Sequence, residues 1–497
     1  RFDEPEQVSI KTVKDYFKTI ASHGIILDAE KRTEEILKQA SRLAKEVKGV
    51  LEGEKDLLPE VANLVEKPTA LRGEFETKFL ALPKPVLISV MKKHQRYFPV
   101  EKEGALLPYF IAVRNGGEEH LDIVTRGNEQ VIRARFADAD YFFRRDLEKT
   151  LEDYLPRLST LTFQADLGSM LDKTERIERL AGLLAEKMGL KTKERKTVVR
   201  AAHLAKADLA TFMVIEMTSL QGEMGCEYAL RSGESEDVAQ AIREHYLPRF
   251  QGDRMPETDP GHIVALADRL DSLMGLFAAG IQPSGASDPF AMRRTAIGLV
   301  QILIAMEIRF DLGEGLKMAA GGLPLKASEE HLKSCLDFIV ARLQTLLRSE
   351  GAAHDAVDAV LAAQGRDPAG AASAVAELDR YRQRKDWDEI LQAYARCVRI
   401  TRDLDVIYSV DPNKLIESAE KSLFDELQAA EKKSRNPGSV GDFFDAFIPM
   451  MPAITSFFDE VLVMADDEQL RSNRLGLLQR IVAIAAGVLD LSKLEGF

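Results

Sequence analysis

Cysteine is nearly missing from this chain: only Cys226, Cys335 and Cys397 occur among 497 residues. They are too few and too far apart for a disulfide framework or a thiolate metal site, so a reducing compartment, the cytoplasm, is expected. No apolar run approaches the roughly 18 residues that a membrane-crossing helix needs, and no membrane association is expected. The opening RFDEPEQVSI lacks the basic start and apolar middle of a secretory signal. Without an initiating Met, the chain is expected to begin inside a longer one. No GxGxxG pattern, and no GxxxxGK followed by Ser or Thr, comes after a strand-like run. Gly222 and Gly225 in QGEMG follow a helix instead, and Gly285 in PSGAS reads as a turn. An excess of positive charge is missing too. Against 80 Asp and Glu stand 67 Lys and Arg, a net of -13, which disfavours indiscriminate nucleic-acid binding. A local basic patch can still meet a folded RNA.

What is present describes a globular protein, with 45% hydrophobic and 30% charged residues and enough length for two to four domains. Helical spacing joins Val13, Tyr16, Phe17 and Ile20, and then Ile36, Leu37, Ala40, Leu43, Ala44 and Val47. From Lys84 the pattern changes: PVLISVM reads as a strand, the basic KKHQRYFPV follows, and YFIAVRN reads as a second strand closed by Asn115, Gly116 and Gly117. Asn128 is placed to cap a helix carrying Val131, Arg135, Ala139 and Phe142. Further helices are expected over about 172–188, 193–220, 235–245, 261–277 and 288–308, the last opened by Ser287, Asp288 and Pro289. The alanine-rich stretch 351–378 reads as a lightly packed helical connection, and the rest as a terminal helical bundle. The fold class expected is multidomain α+β, predominantly helical. Its parts are a mixed region at 1–160, a helical region at 161–345, the connection at 346–378 and a terminal domain at 379–497.

Chemistry-bearing residues cluster in five places. His203 and Asp208 in HLAKAD, with His245, Asp253, Asp268 and Asp271, invite a metal-site reading. His203 and Asp208, however, are five apart on an expected helix and point about 140° apart, while Asp268 and Asp271 flank Arg269 and read equally as a solvated ion pair. Arg133, Arg135, Arg144 and Arg145 stand among Asp138, Asp140 and Asp146, acids able to orient guanidinium forks within the chain, at a subunit contact or toward RNA. Lys92, His94, Arg96 and Tyr97 suit either a backbone-and-base contact or an edge with a packed tyrosine. Arg396, Arg399 and Arg402 recur every third position and form a basic ridge on a helix, followed by Asn413 and Lys414. Arg471, Asn473 and Arg474 open another helix. Asn is able to read a base edge and Arg to hold phosphate, with caps and salt bridges as the plainer alternative.

The ordered set KHQRYFPV, YFIAVRNG, GNEQVIRARFADADYFFRRDL, HLAKADLATFMV with LQGEMG, EHYLPRF, ALADRLDSLMGLFAAGIQPSGASDPFAMRR and SNRLGLLQRI resembles the beta subunits of bacterial-type tetrameric glycyl-tRNA synthetase over most of the chain. The resemblance implies a B3/B4-like mixed region, a degenerate HD-like helical domain and a C-terminal DALR-type anticodon-binding bundle, with a further N-terminal part that this chain lacks. It implies ATP-dependent attachment of glycine to tRNA(Gly) by an alpha2beta2 assembly, with ATP and Mg2+ at the alpha subunit's active site and no cofactor or catalytic residue in this chain. The tRNA-binding candidates are then Arg396, Arg399, Arg402, Asn473, Arg474, Lys92 and Arg96, and the candidates for subunit or RNA contact are Arg133, Arg135, Arg144 and Arg145. The adjacent His-Asp pair of a working HD hydrolase is missing from HLAKAD. A metal-dependent HD phosphohydrolase and a tRNA-binding scaffold without a ligase partner are the alternatives.

Overall fold

A computed structural model describes residues 8, 10–51, 54–250 and 252–497, so most of the opening stretch read above for a signal lies outside the described residues. The chain divides into two compact units, Arg1–Ser159 with Leu204–Ala239, and Thr160–His203 with Gln240–Phe497.

In the first unit, helices α1 (Val13–Ser22), α2 (Ala29–Glu46) and α3 (Glu54–Leu64) accompany strands β1 (Val50–Leu51) and β2 (Pro68–Glu74). Helix α4 (Lys84–Ser89), strands β3 (Phe98–Lys102) and β4 (Ala105–Asn115) and helix α5 (Leu121–Asp146) follow. The sheet order is β1-β3-β4-β2 with antiparallel neighbours, and β2 runs against β4 from Pro68↔Asn115 to Glu74↔Tyr109. Ile36, Ala40 and Ala44 of α2 and Leu57, Leu58 and Val61 of α3 pack on Phe98, Val100 and Ile111 of the sheet. An open strand edge would invite pairing with another chain. Here Gln39 accepts from the Ala70 N–H at 2.8 Å and donates to the Pro68 carbonyl at 3.2 Å, while Glu129 accepts from the Glu74 N–H at 3.0 Å. Gly73 lets the Phe110 ring lie on the sheet, since a Cβ there would fall 2.3 Å from that ring. Tyr97 stacks on Phe110 at 4.7 Å.

Two expectations fail in this unit. PVLISVM is helical: α4 continues into a π-helical turn, Val90–His94, and Val86, Leu87, Val90 and Met91 form its buried face. Their i, i+1, i+4, i+5 spacing is helical, and the β-branched residues obscured it. Asn128 caps nothing, because α5 already begins at Leu121.

Helices α6 (Met170–Lys187) and α7 (Thr192–Leu204) follow the short pair β5 (Thr162–Gln164) and β6 (Gly168–Ser169). The long helix expected to Leu220 ends at Leu204. Tight turns then lead through α8 (Phe212–Glu216) to α9 (Glu223–Arg231). Next come α10 (Glu236–Glu244), α11 (Asp259–Ala278), α12 (Met292–Ala305), α13 (Leu312–Ala320) and α14 (Glu329–Ser349). Helix α11 is apolar nearly all round, as an interior helix must be, and it packs against α6, α12, α13 and α14. Asp288, not Ser287, accepts from the Met292 and Arg293 amides and opens α12.

The alanine-rich stretch is no loose connection. Helices α15 (His354–Gln364) and α16 (Pro368–Arg382) pack closely because Ala356, Ala359, Ala371 and Ala374 are buried, and small side chains allow close backbones. The chain ends with α17 (Trp387–Thr401), α18 (Ser418–Lys432), α19 (Val440–Phe447), α20 (Met451–Glu460) and α21 (Glu468–Ala483). Trp387, Tyr394, Phe443, Phe444 and Phe447 form an aromatic core among them.

Candidate nucleic-acid interface

Helix α17 buries Trp387, Ile390, Leu391, Tyr394, Cys397 and Thr401 at helical spacing, and burial pushes the Cys397 thiol up to about 12. That seam leaves Arg396, Arg399 and Arg402 on the outer side. The Arg396 guanidinium lies 4.5 Å from the Phe458 ring centre and 3.6 Å from Asp459. Arg399 lies 5.9 Å from the Phe497 ring centre and donates weakly to Gln392 at 3.4 Å. Among the described residues Arg402 pairs with Asp403 alone, at 3.5 Å. A ring beneath a guanidinium positions it without cancelling its charge, and exposed ion pairs of this kind are worth under about 1 kcal/mol. Phosphate oxygens can displace such partners.

Asn473 and Arg474 are a correction. Asn473 is 4% exposed, and its amide accepts from the Asp411 N–H at 2.6 Å and donates to the Asp411 carbonyl at 3.2 Å. Arg474 is 6% exposed; it pairs with the buried Glu420 and donates to the Leu462 carbonyl at 2.8 Å. Glu420 also accepts from the Ile416 and Glu417 amides. Both side chains are buried and spend their polar groups on partners inside the protein, whereas the sequence reading expects them exposed.

Along the same side of α21, Gln479 donates to the Val406 carbonyl at 2.8 Å and accepts from the Tyr408 N–H at 2.9 Å. Between Asn473 and Gln479 sits Gly476, where a Cβ would come 2.8 Å from the Tyr408 carbonyl oxygen. Asn473, Gly476 and Gln479, three apart, therefore bind the segment 406–411 like a strap. The i, i+3, i+6 spacing of two carboxamides around a glycine in SNRLGLLQRI was the available signal.

Elsewhere the basic residues separate. Arg96, at a positive φ of 57°, donates to Glu60 at 2.8 Å and to the Lys93 carbonyl at 2.7 Å. Lys92 is 4.0 Å from Asp56, and Tyr97 is buried. Arg133 pairs with Glu76 at 3.2 Å and Arg144 with Asp140 at 2.9 Å, while Arg145 donates to the Tyr141 hydroxyl and covers Phe212 at 4.5 Å. Arg135 lines a small cleft of about 80 Å³ with His94, Asp138, Phe142 and Glu216. Asp146 takes other partners than arginine among the described residues. It is buried and accepts from the Phe212 and Met213 amides and the Tyr228 hydroxyl at 2.8–2.9 Å.

The residues of the metal reading are committed to other partners. Asp271 holds Arg176 at 2.7 Å and Lys173 at 3.3 Å, and Lys173 also meets Asp268 at 2.9 Å. Arg269 is buried and donates to the carbonyls of His245, Tyr246, Leu247 and Pro248, so it makes no solvated pair; burial lowers its pKa to about 10. His203 is 2.8 Å from Glu178, and the Asp208 carboxylate accepts from the Gly222 N–H at 2.6 Å. Among the described residues no three His, Cys, Asp or Glu side chains gather to hold a metal. Lys173 and Arg176, the cations that fix these acids, were missed because their partners lie far away in sequence, and Arg269 was named but assigned to the neighbouring acids instead of to the carbonyls it holds.

Fold and site together define a largely helical, multi-part protein that devotes its buried charge to structure and offers an arginine-and-ring surface outside. Residues 1–362 match the family described as glycyl-tRNA synthetase beta subunit. The chain is 40% identical to the glycine-tRNA ligase beta subunit of Clostridioides difficile strain 630 over 99% of its own length and 72% of that protein's. It is likewise 40% identical to the beta subunit of Moorella thermoacetica, spanning 99% of this chain and 73% of that one. An Arabidopsis thaliana protein, glycine-tRNA ligase, chloroplastic/mitochondrial 2, is 39% identical over 98% of this chain and 46% of its own length. The chain belongs to the glycyl-tRNA synthetase beta subunit family.

Proposed function

We propose that this chain recognises tRNA(Gly) for a glycine-tRNA ligase whose bond-making site, with ATP and Mg2+, lies on a separate alpha subunit in an alpha2beta2 assembly in the cytoplasm. Residues 379–497 serve as the anticodon-binding domain, with the B3/B4-like and degenerate HD-like parts before it. The observation that carries the reading is the α17 ridge: three guanidinium groups on one side of a firmly packed helix, two over aromatic rings. The Arabidopsis relative adds support, since the region like this chain is under half of a polypeptide named as a ligase. Holding tRNA in register contributes to the rate by making the transfer step effectively intramolecular. The commitment of Asp268, Asp271 and Asp208 to buried partners counts against the phosphohydrolase.

The test joins this chain to its alpha subunit. Replacing Arg396, Arg399 and Arg402 together by Gln lowers tRNA affinity and flattens its salt dependence, by about 0.7–0.9 in log-log slope for each phosphate that is no longer neutralised. The melting temperature stays that of the parent. An unchanged slope removes the ridge from the interface.

A further inference from the structure

Ile407 is 90% exposed, the most exposed large apolar side chain among the described residues. Exposed aliphatic side chains on free loops are ordinary, but this one is not on a free loop. Gln479 binds the carbonyl of the residue before it and the N–H of the residue after it, and Asn473 fixes Asp411 further along. Gly476 admits the strap against α21 where any side chain would meet the Tyr408 carbonyl. Four hydrogen bonds therefore hold the backbone on either side of Ile407 while its side chain buries almost nothing. The strap begins a few residues after Arg402, where the arginine ridge ends, and Asp405 within the intervening turn is exposed.

Resting on the reading of this chain as a tRNA-binding subunit, we propose that the strap 406–411 is its base-reading element, with Ile407 the apolar platform for one unpaired RNA base. The division of labour is chemical. Phosphates are met by Arg396, Arg399 and Arg402, which carry no sequence information. A splayed base needs a rigid apolar face to lie on and acceptors for its exocyclic amino group. Ile407 supplies the face, and the Asp405 carboxylate accepts from an amino group while repelling an edge made only of acceptors. Pinning the strap beforehand removes the ordering cost that a flexible loop would meet on binding.

The experiment uses this chain assembled with its alpha subunit and a tRNA(Gly) transcript, titrated at several salt concentrations. Ile407→Ala weakens binding about fivefold at every salt concentration, as removal of one apolar face does, and leaves the salt slope unchanged. Ile407→Tyr, which puts a broad ring in place of the aliphatic face, recovers parental affinity or exceeds it. In glycine charging, Ile407→Ala raises KM for tRNA with kcat held. Because the side chain is exposed, both variants fold, and a parental melting curve verifies that. If the parent binds tRNA and Ile407→Ala binds it equally well, the strap proposal falls and the wider reading stands; weakened association with the alpha subunit in that variant would assign the strap to protein docking. If the parent assembly fails to bind tRNA at all, both fall.

Discussion

Arg474→Met separates a structural arginine from a nucleic-acid contact. In the parent the guanidinium lies beside Glu420, which is 1% exposed, and also donates to the Leu462 carbonyl. Removing one partner of a buried ion pair costs about 3–5 kcal/mol, because the other charge stays buried without it. The missing bond to Leu462 adds about 1 kcal/mol. Two backbone amides, Ile416 and Glu417, still donate to Glu420 and offset part of this. A net loss of about 3 kcal/mol follows, or roughly 6 °C in melting temperature for a unit of this size. Adding Glu420→Gln removes the stranded charge, keeps an acceptor for both amides and should restore more than half of the loss. The assay is thermal unfolding of single and double variants, paired with a tRNA titration over a salt series at a temperature where all remain folded. At that temperature Arg474→Met binds with the parental salt slope. If it melted with the parent and lost slope instead, Arg474 would be a phosphate contact and its burial here would be the wrong account.

Two further outcomes follow from other buried positions. Gly476→Ala drives a Cβ to 2.8 Å from the Tyr408 carbonyl oxygen, so the strap must lift at a cost of about 1–3 kcal/mol. Limited trypsin digestion then cuts faster after Arg402, whereas an unchanged rate would mean that α21 does not hold the strap. Asp208 is fully buried, and burial pushes its carboxyl up to about 6 from 3.8 despite the Gly222 amide, so the folded state holds its proton more tightly than the unfolded chain. The group therefore costs nothing below about pH 4, costs more as pH rises to 6, and above that costs a constant amount of about 3 kcal/mol. Asp208→Asn keeps an acceptor for Gly222, so urea unfolding should show it gaining on the parent between pH 4 and 6 and holding that gain above; a gain independent of pH would refute the assignment.

The helices of the terminal bundle were legible where one periodic apolar seam sufficed. Trp387, Ile390, Leu391, Tyr394 and Cys397 are the buried line of α17, and a line so regular says which side is left over for arginines. The same logic misled at Lys84, where a run rich in Val, Leu and Ile reads as a strand until the partners of Val86, Leu87, Val90 and Met91 are known. In 351–378 small side chains were taken for weak packing, when closeness of α15 and α16 is what they permit.

Polar residues posed a harder problem, because their role depends on a partner that local sequence does not name. Arg402 and Arg474 are the same residue type, yet one, at the end of α17, reaches the exposed Asp403 while the other, within α21, is enclosed with Glu420, 54 positions away. Asn473 reads an edge of donor and acceptor, as it would read a base, but the edge belongs to Asp411 of its own backbone. An acidic protein that must touch RNA in one place gains from this arrangement. Arginines such as Arg474 and Arg176 that would otherwise add unspecific attraction are enclosed with carboxylates, and exposed ones such as Arg133 and Arg144 are each paired with an acid. If so, neutralising the buried pair conservatively leaves the salt slope of tRNA binding alone, and neutralising the ridge abolishes most of it. In the proposed division of labour, specificity lies in the strap that follows the ridge in sequence, whose backbone Asn473 and Gln479 hold in place.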